Sequence, residues 1–432
     1  MALLVRNVLG VSAPSFMPKR ELGVGKETER DMMLEAMAQA GVRYLRVDFL
    51  WTEIEPRRGE FCFTAHDELV AAARRYGIEL IGILCYGNPW ATSAASRGAN
   101  YKDYGLTDKL PPDALETYAN FAAAVASRYR GQVRRWEIWN EPNVFVFWQP
   151  RPNPVRYGDL LKTTYARIKE VAPKSIIASG GLAPYFDIYR HGRNWGFLKA
   201  MFRAHPDIAD FFDAIAFHPY TFLQRPAPET RLIQSFPAMI RKFRGIAEEI
   251  GAGSKPLWAT EFGWHTAVEK SGYPGFPRGV DEETQAAFLV RSFVLALAEG
   301  VEVVSWYTLL DGANARRNKE WAFGLFNPLP REGEPTPKPA YGALRTFSKI
   351  LGEAKAVPES LNLPRPAYGY RFRLPGRSVT VLWSSRRRVT QLTLPSRPGT
   401  KVQGMLGENL SWSDGAQTRL YLSRFPIYLV ES

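Results

Sequence analysis

One recurring unit constrains this chain more than any other feature: a helical stretch, a glycine, then a short apolar run. Gly41 precedes Val42-Arg43-Tyr44-Leu45-Arg46-Val47, and Gly77 precedes Ile78-Glu79-Leu80-Ile81. Gly131 stands just before Val133-Arg134-Arg135-Trp136, and Gly300 precedes Val301-Glu302-Val303-Val304. Glycine suits the left-handed position that closes a helix, and β-branched residues suit the strand after it. Pro173 and Pro256 punctuate in the same way before Ser175-Ile176-Ile177 and Leu257-Trp258-Ala259. Helical apolar spacing covers 112–130, 154–172, 230–251, 281–299 and 338–351, and Thr28 with Asp31 resembles a capping box. Strands are expected near 7–12, 43–48, 79–85, 133–139, 175–180, 212–217, 256–260 and 302–308. Eight strands alternating with helices over about 350 residues predict a (β/α)8 TIM barrel. An open doubly wound sheet is the alternative, but no GxGxxG follows the first strand.

The texture changes after the last helix. Residues 355–432 alternate short β-like runs with turns, as in Tyr368-Gly369-Tyr370-Arg371-Phe372 and Ile427-Tyr428-Leu429-Val430. This predicts a small C-terminal antiparallel β-sandwich. The domains expected are a catalytic barrel over 1–352 and a sandwich over 353–432.

Composition narrows the partners. The net charge of +13 admits an acidic polymer, but the basic residues are scattered and form no zinc-finger, RNP-like or basic-helix pattern. Nucleic acid is therefore not expected. Cys62 and Cys85 are too few for a disulfide framework or a metal cluster, and the five histidines show no HExxH spacing. There is no P-loop and no GxSxG elbow. No metal and no cofactor are expected. No apolar run approaches the roughly 20 residues of a membrane helix. Without a convincing signal peptide the chain reads as cytoplasmic, or as periplasmic or extracellular if an export segment was removed. A monomer is the default expectation.

In a barrel of this kind the chemistry collects at the C-terminal ends of the strands. Those ends carry Asp48, then Tyr86 and Asn88, Asn140 and Glu141, His218 and Tyr220, Glu261, and Trp306 and Asp311. Two carboxylates stand out: Glu141 after Trp136-Glu137-Ile138-Trp139-Asn140, and Glu261 after Leu257-Trp258-Ala259-Thr260. Carboxyls facing each other across the mouth can cleave a glycosidic bond. A separation of about 5–5.5 Å gives retention and a wider one inversion. On position alone, surface acids near strand ends are an equal reading.

The local sequence shifts the balance. Asn140-Glu141-Pro142 after an aromatic strand closely resembles the acid/base motif of the large glycosidase clan built on such barrels. Within that clan the chain is similar to glycoside hydrolase family 39, on Arg46-Val47-Asp48, Glu55-Pro56 with Gly59, Trp136 to Asn143, Phe217-His218-Pro219-Tyr220 and Thr260-Glu261-Phe262-Gly263. The likeness is greatest to bacterial exopolysaccharide glycosidases. The resemblance implies Glu141 as general acid/base, Glu261 as nucleophile and Asn140 as partner of the substrate 2-hydroxyl. It implies Arg46 and Tyr220 as supports of the nucleophile, His218 as a bond to sugar or carboxylate, and Trp306 as a stacking platform. Trp90, Trp148, Asp48 and Asp311 are further substrate-contact candidates. Each has a structural alternative: an internal ion pair for Arg46, a core histidine for His218, core packing for Trp306. Glu137 is a rival acid whose mid-strand position favours a structural network.

The expected activity is retaining hydrolysis of β-linked glycans, endo-acting on an exopolysaccharide because aromatics flank the cleavage point. The alternatives are an exo-acting β-xylosidase-like enzyme on oligosaccharides and a non-catalytic carbohydrate-binding barrel.

Overall fold

The computed structural model describes residues 3–14, 26–93, 108–184, 186–187, 192–221, 235–267, 279–313, 315, 322–328, 336–386, 388–395, 399–412 and 417–431. For 26–28, 186–187 and 192–195 it describes the backbone course alone. Eight strands form the barrel: β1 Leu9–Ser12, β2 Tyr44–Leu50, β3 Glu79–Cys85, β4 Arg135–Asn140, β5 Ile176–Gly181, β6 Ile215–Phe217, β7 Leu257–Phe262 and β8 Val303–Tyr307. A helix follows each in turn: α1 Lys26–Gln39, α2 Thr64–Arg75, α3 Leu115–Arg128, α4 Pro154–Val171, α5 Asn194–Ala204, α6 Phe236–Glu249, α7 Glu282–Ala298 and α8 Pro339–Leu351.

The strands pair in parallel in the order β5-β4-β3-β2-β1-β8-β7-β6. Bridges between Ala178 and Ala214 and between Leu182 and Phe217 close the ring from β5 to β6. Inside, Tyr44, Ile81, Ala178, Ala214, Ala216, Trp258 and Val303 fill the lower barrel as one apolar plug. A filled barrel leaves the strand ends above the plug as the place where polar side chains can meet.

Local chemistry explains the helix boundaries. Asn153, Ser235 and Asp281 each accept a hydrogen bond from the backbone N–H three residues on, at 3.0, 3.3 and 2.7 Å. Each removes one orphan donor at a helix start. The glycines that the sequence places at helix ends, Gly41, Gly77, Gly131 and Gly300, all have φ between 69° and 81°. The capping box at Thr28 lies outside the described side chains.

Beyond α8 the chain forms antiparallel β-structure. One sheet has the spatial order Glu359–Ser360, Ala367–Leu374, Arg377–Ser384, Ile427–Glu431, Lys401–Gly404, and Thr390–Pro395 pairs with Gln417–Leu422. Phe372, Val379, Val381, Trp383 and Tyr428 belong to the same buried cluster as the barrel helices. The sandwich is therefore packed onto the barrel rather than hung from it. Both cysteines are free. Among the described residues no helix is long and apolar enough to cross a membrane.

Candidate active site

Strand β2 directs Arg46 into the barrel above the apolar plug, where the side chain is fully buried. Its five N–H groups all find acceptors. Nε and Nη2 donate to Glu137 at 2.9 and 2.8 Å, and Nη2 also donates to Asn140 Oδ1 at 2.7 Å. Nη1 donates to Ser12 Oγ at 3.2 Å and to Glu261 Oε2 at 2.9 Å. Burial alone would lower the guanidinium pKa, but Glu137 and then Glu261 hold it above its ordinary value. Glu137 takes a further bond from the Gly181 N–H at 2.8 Å. It is a structural counter-ion, with no exposure to the mouth.

Strand β4 departs from ideal pleating just where its chemistry begins. Trp139 and Glu141 have φ of 69° and 46°, the two positive values among described non-glycine residues. Such conformations cost about 1–3 kcal/mol each and persist only where neighbours enforce them. Trp139 is enforced by its indole N–H, which donates to the Phe147 carbonyl at 2.8 Å, and by the rings of Tyr86, Tyr118 and Trp148. With Trp139 turned out into the helix layer, Asn140 turns in to meet Arg46. Glu141 follows it over the mouth, its N–H held by the Gly181 carbonyl at 3.0 Å.

Strand β6 ends at His218, whose Nδ1 lies 2.8 Å from Glu141 Oε1. Burial, and secondarily Arg46, keep the imidazole pKa well below its usual range, so the ring is neutral. Its place depends on Gly181, because a Cβ there would sit 2.1 Å from His218 Nε2. Tyr220 donates its hydroxyl to Glu261 Oε1 at 2.8 Å. Both oxygens of Glu261 therefore accept from a donor, Tyr220 on one and Arg46 on the other. Burial and then Glu261 push the Tyr220 pKa well up, so it stays a donor.

Glu141, His218 and Glu261 each bring a ligand-type atom within 4.8 Å of the others, the one group of metal-ligating type among the described residues. A cation fits poorly there, since the Arg46 guanidinium and the Tyr220 hydroxyl already occupy the Glu261 oxygens. The arrangement suits charge developing on a bound ligand: a carboxyl held by two donors faces a second carboxyl that is paired with a neutral ring.

No protein-family model matches this sequence, and no curated protein matches it significantly. Solved structures do match. A family 39 glycoside hydrolase from Bacteroides cellulosilyticus WH2 superposes with a TM-score of 0.76 at 22% identity, over 100% of this chain and 82% of that one. A monomeric β-xylosidase from Caulobacter crescentus CB15 gives 0.65 at 17%, over 100% and 97%. The family 39 enzyme from Xanthomonas axonopodis pv. citri gives 0.63 at 17%, over 100% and 95%. The fold is that of the family 39 glycoside hydrolases.

The structure brings together six residues expected from sequence: Arg46, Asn140, Glu141, His218, Tyr220 and Glu261. It places four others elsewhere. Trp306 is fully buried and points outward from β8, its ring against Phe262 and Trp264 and its N–H on the Phe323 carbonyl at 3.2 Å. It cannot be the stacking platform, because Val303, Ser305 and Tyr307 are the inward residues of that strand. Trp148 is buried between Trp139 and Tyr157 and supports the strained end of β4. Asp311 forms a buried ion pair with Lys338 Nζ at 3.0 Å and accepts from the Gly324 N–H. Trp90 is half-buried on Trp51 and donates to the Glu55 carbonyl at 3.0 Å.

Tyr307 is the aromatic that sequence reading missed. It is half-buried beside Tyr220 and Phe323 at the mouth. The signal that finds it is alternation counted from Val303, which belongs to the apolar plug. The long loops within 86–112 and 266–280 lie largely outside the described residues.

Proposed function

We propose that this chain is a retaining glycoside hydrolase acting on β-linked glycans, with Glu261 as nucleophile and Glu141 as general acid/base. One observation carries the reading: a carboxylate oxygen of Glu141 and one of Glu261 lie within 4.8 Å. Double displacement works with carboxyls about 5–5.5 Å apart, whereas inversion needs a gap wide enough for a water.

In the first step the Glu261 carboxylate attacks the anomeric carbon. The bond from that carbon to the bridging oxygen breaks, and the Glu141 proton passes to the departing oxygen. In the second step water attacks the same carbon, gives its proton to Glu141, and Glu261 leaves as a carboxylate. Arg46 and Tyr220 hold the two oxygens of Glu261 and aim them. A protonated histidine beside Glu141 would favour its ionised form and spoil the acid, so the neutrality of His218 matters. Asn140 has its carbonyl oxygen on Arg46, which leaves the amide NH2 for the sugar 2-hydroxyl, a contact that strengthens as the oxocarbenium-like state forms.

Endo action on an exopolysaccharide is supported by Phe145 and Phe147, which remain partly exposed just after the acid/base. Trp148 no longer supports it. Product lengths from purified bacterial exopolysaccharides separate this mode from an exo-acting β-xylosidase-like one. For the catalytic pair, Glu261→Ala is expected to abolish hydrolysis with the fold intact. Glu141→Ala should retain turnover mainly on aryl glycosides with good leaving groups, restored by azide. Unchanged hydrolysis in Glu261→Ala removes the assignment.

A further inference from the structure

The double displacement leaves one polar cluster at the barrel mouth unused. It lies where β2 and β3 end. Asp48 stands two residues beyond Arg46 on the inward face of β2 and is 9% exposed. Its Oδ1 is buried without a hydrogen-bond partner among the described residues. The Cys85 thiol hydrogen-bonds the same carboxylate, and Lys109 lies near enough to act on it electrostatically. The Lys109 ammonium sits 3.2 Å above the centre of the Tyr86 ring and 2.8 Å from Asp108 Oδ2, with 12% of its side chain exposed. The backbone here is fixed: Gly87 N–H donates to the Asp108 carbonyl at 2.6 Å, and Gln149 N–H donates to the Lys109 carbonyl at 2.9 Å.

A buried carboxylate oxygen with no donor is unfavourable, and such groups usually have a reason. This one lies on the same inward face as the guanidinium that anchors the nucleophile. An acceptor-only carboxylate beside a donor-only ammonium matches two neighbouring hydroxyls, one donating to the first and the other accepting from the second. A sugar carboxylate in the same place would meet Asp48 as a like charge.

We propose that Asp48, with Lys109 beside it, selects a neutral sugar at the cleavage position by binding two adjacent ring hydroxyls. Asn140 serves the 2-hydroxyl, so the pair next round the ring is the 3- and 4-hydroxyls. The inference rests on the glycosidase reading and names the substrate class for that site.

The test uses activated dinitrophenyl β-glycosides: neutral mono- and disaccharides, their 3-deoxy and 4-deoxy analogues, and the matching glucuronide. Wild-type protein should turn over the neutral parent at least about tenfold faster in kcat/KM than the glucuronide. Loss of the 3- or 4-hydroxyl should cost about tenfold or more, the size expected for one hydrogen bond to a charged group. Asp48→Asn should lose a similar factor on the parent and little more on the deoxy analogues, because both changes delete the same contact. Additive losses, or a glucuronide turned over as fast as the parent, overturn the proposal, and the wild-type series alone decides the charge preference. Absence of any Glu261-dependent hydrolysis across the panel would instead remove the glycosidase reading itself.

Discussion

Arg46 organises this site more than either glutamate. Its guanidinium binds Glu137, Asn140, Ser12 and Glu261 at once, so one side chain positions the proposed nucleophile, the proposed 2-hydroxyl partner and the internal counter-ion. Asp48 is the residue that this organisation leaves poorly served. Burial pushes its carboxyl up to about 6, with Arg46 and Lys109 offsetting only part of the shift. A carboxyl whose pKa rises on folding favours the fold while protonated. That contribution is whole below about 3.8, its unfolded value, and is lost as pH climbs through about 6. Asp48→Asn should therefore be more stable than wild type near pH 7.5, by something on the order of 2–3 kcal/mol, with the gain vanishing towards pH 4. Thermal melts of the two proteins at both pH values measure it; a variant less stable at pH 7.5 contradicts the reading. At this scale the sequence made Glu141, Asn140 and Arg46 legible, since their short motifs carry their own context. Trp306 was misread because two aromatics stand side by side at the end of β8, and alternation separates them only once Val303 is known to face inward.

At the scale of elements, the strands lie within three residues of where glycine caps and β-branched runs place them. What no pattern of apolar residues conveys is the break in β4. Alternation alone would turn Trp139 inward and Asn140 outward; the positive φ at Trp139 reverses that and makes the site. The end of β5 is its complement. Gly181 lends its N–H to Glu137 and its carbonyl to the Glu141 N–H, and its missing side chain leaves room for His218. Gly181→Ala should push His218 away from Glu141, at a cost of about 1–3 kcal/mol for the overpacking. Activity should fall at least tenfold, with a displaced acid limb in the pH–rate profile, because the partner of the proposed acid/base has moved. An unchanged profile would mean that His218 does not set the behaviour of Glu141.

Across the whole molecule, the excess of positive charge reads differently in three dimensions than along the chain. Many basic side chains are spent on acids of neighbouring elements, as in Arg75 with Asp31, Arg128 with Asp67, Lys162 with Asp207 and Lys169 with Asp213. Exposed pairs of this kind contribute little stability each, but they place these basic residues in seams between elements. The sandwich completes the core on the barrel's outer side, and the polar cluster at the mouth is built from strand ends drawn from across the chain. Their convergence was legible as a barrel; the separation of two carboxylates 120 positions apart was not, since no local pattern encodes a distance across a mouth. That separation, within 4.8 Å, is what the proposed double displacement rests on. Proton NMR of the anomeric signals during hydrolysis of a β-glycoside tests it most directly. The β-anomer should appear first, with the α-anomer growing in only by mutarotation; an α-anomer released first would contradict double displacement by Glu141 and Glu261.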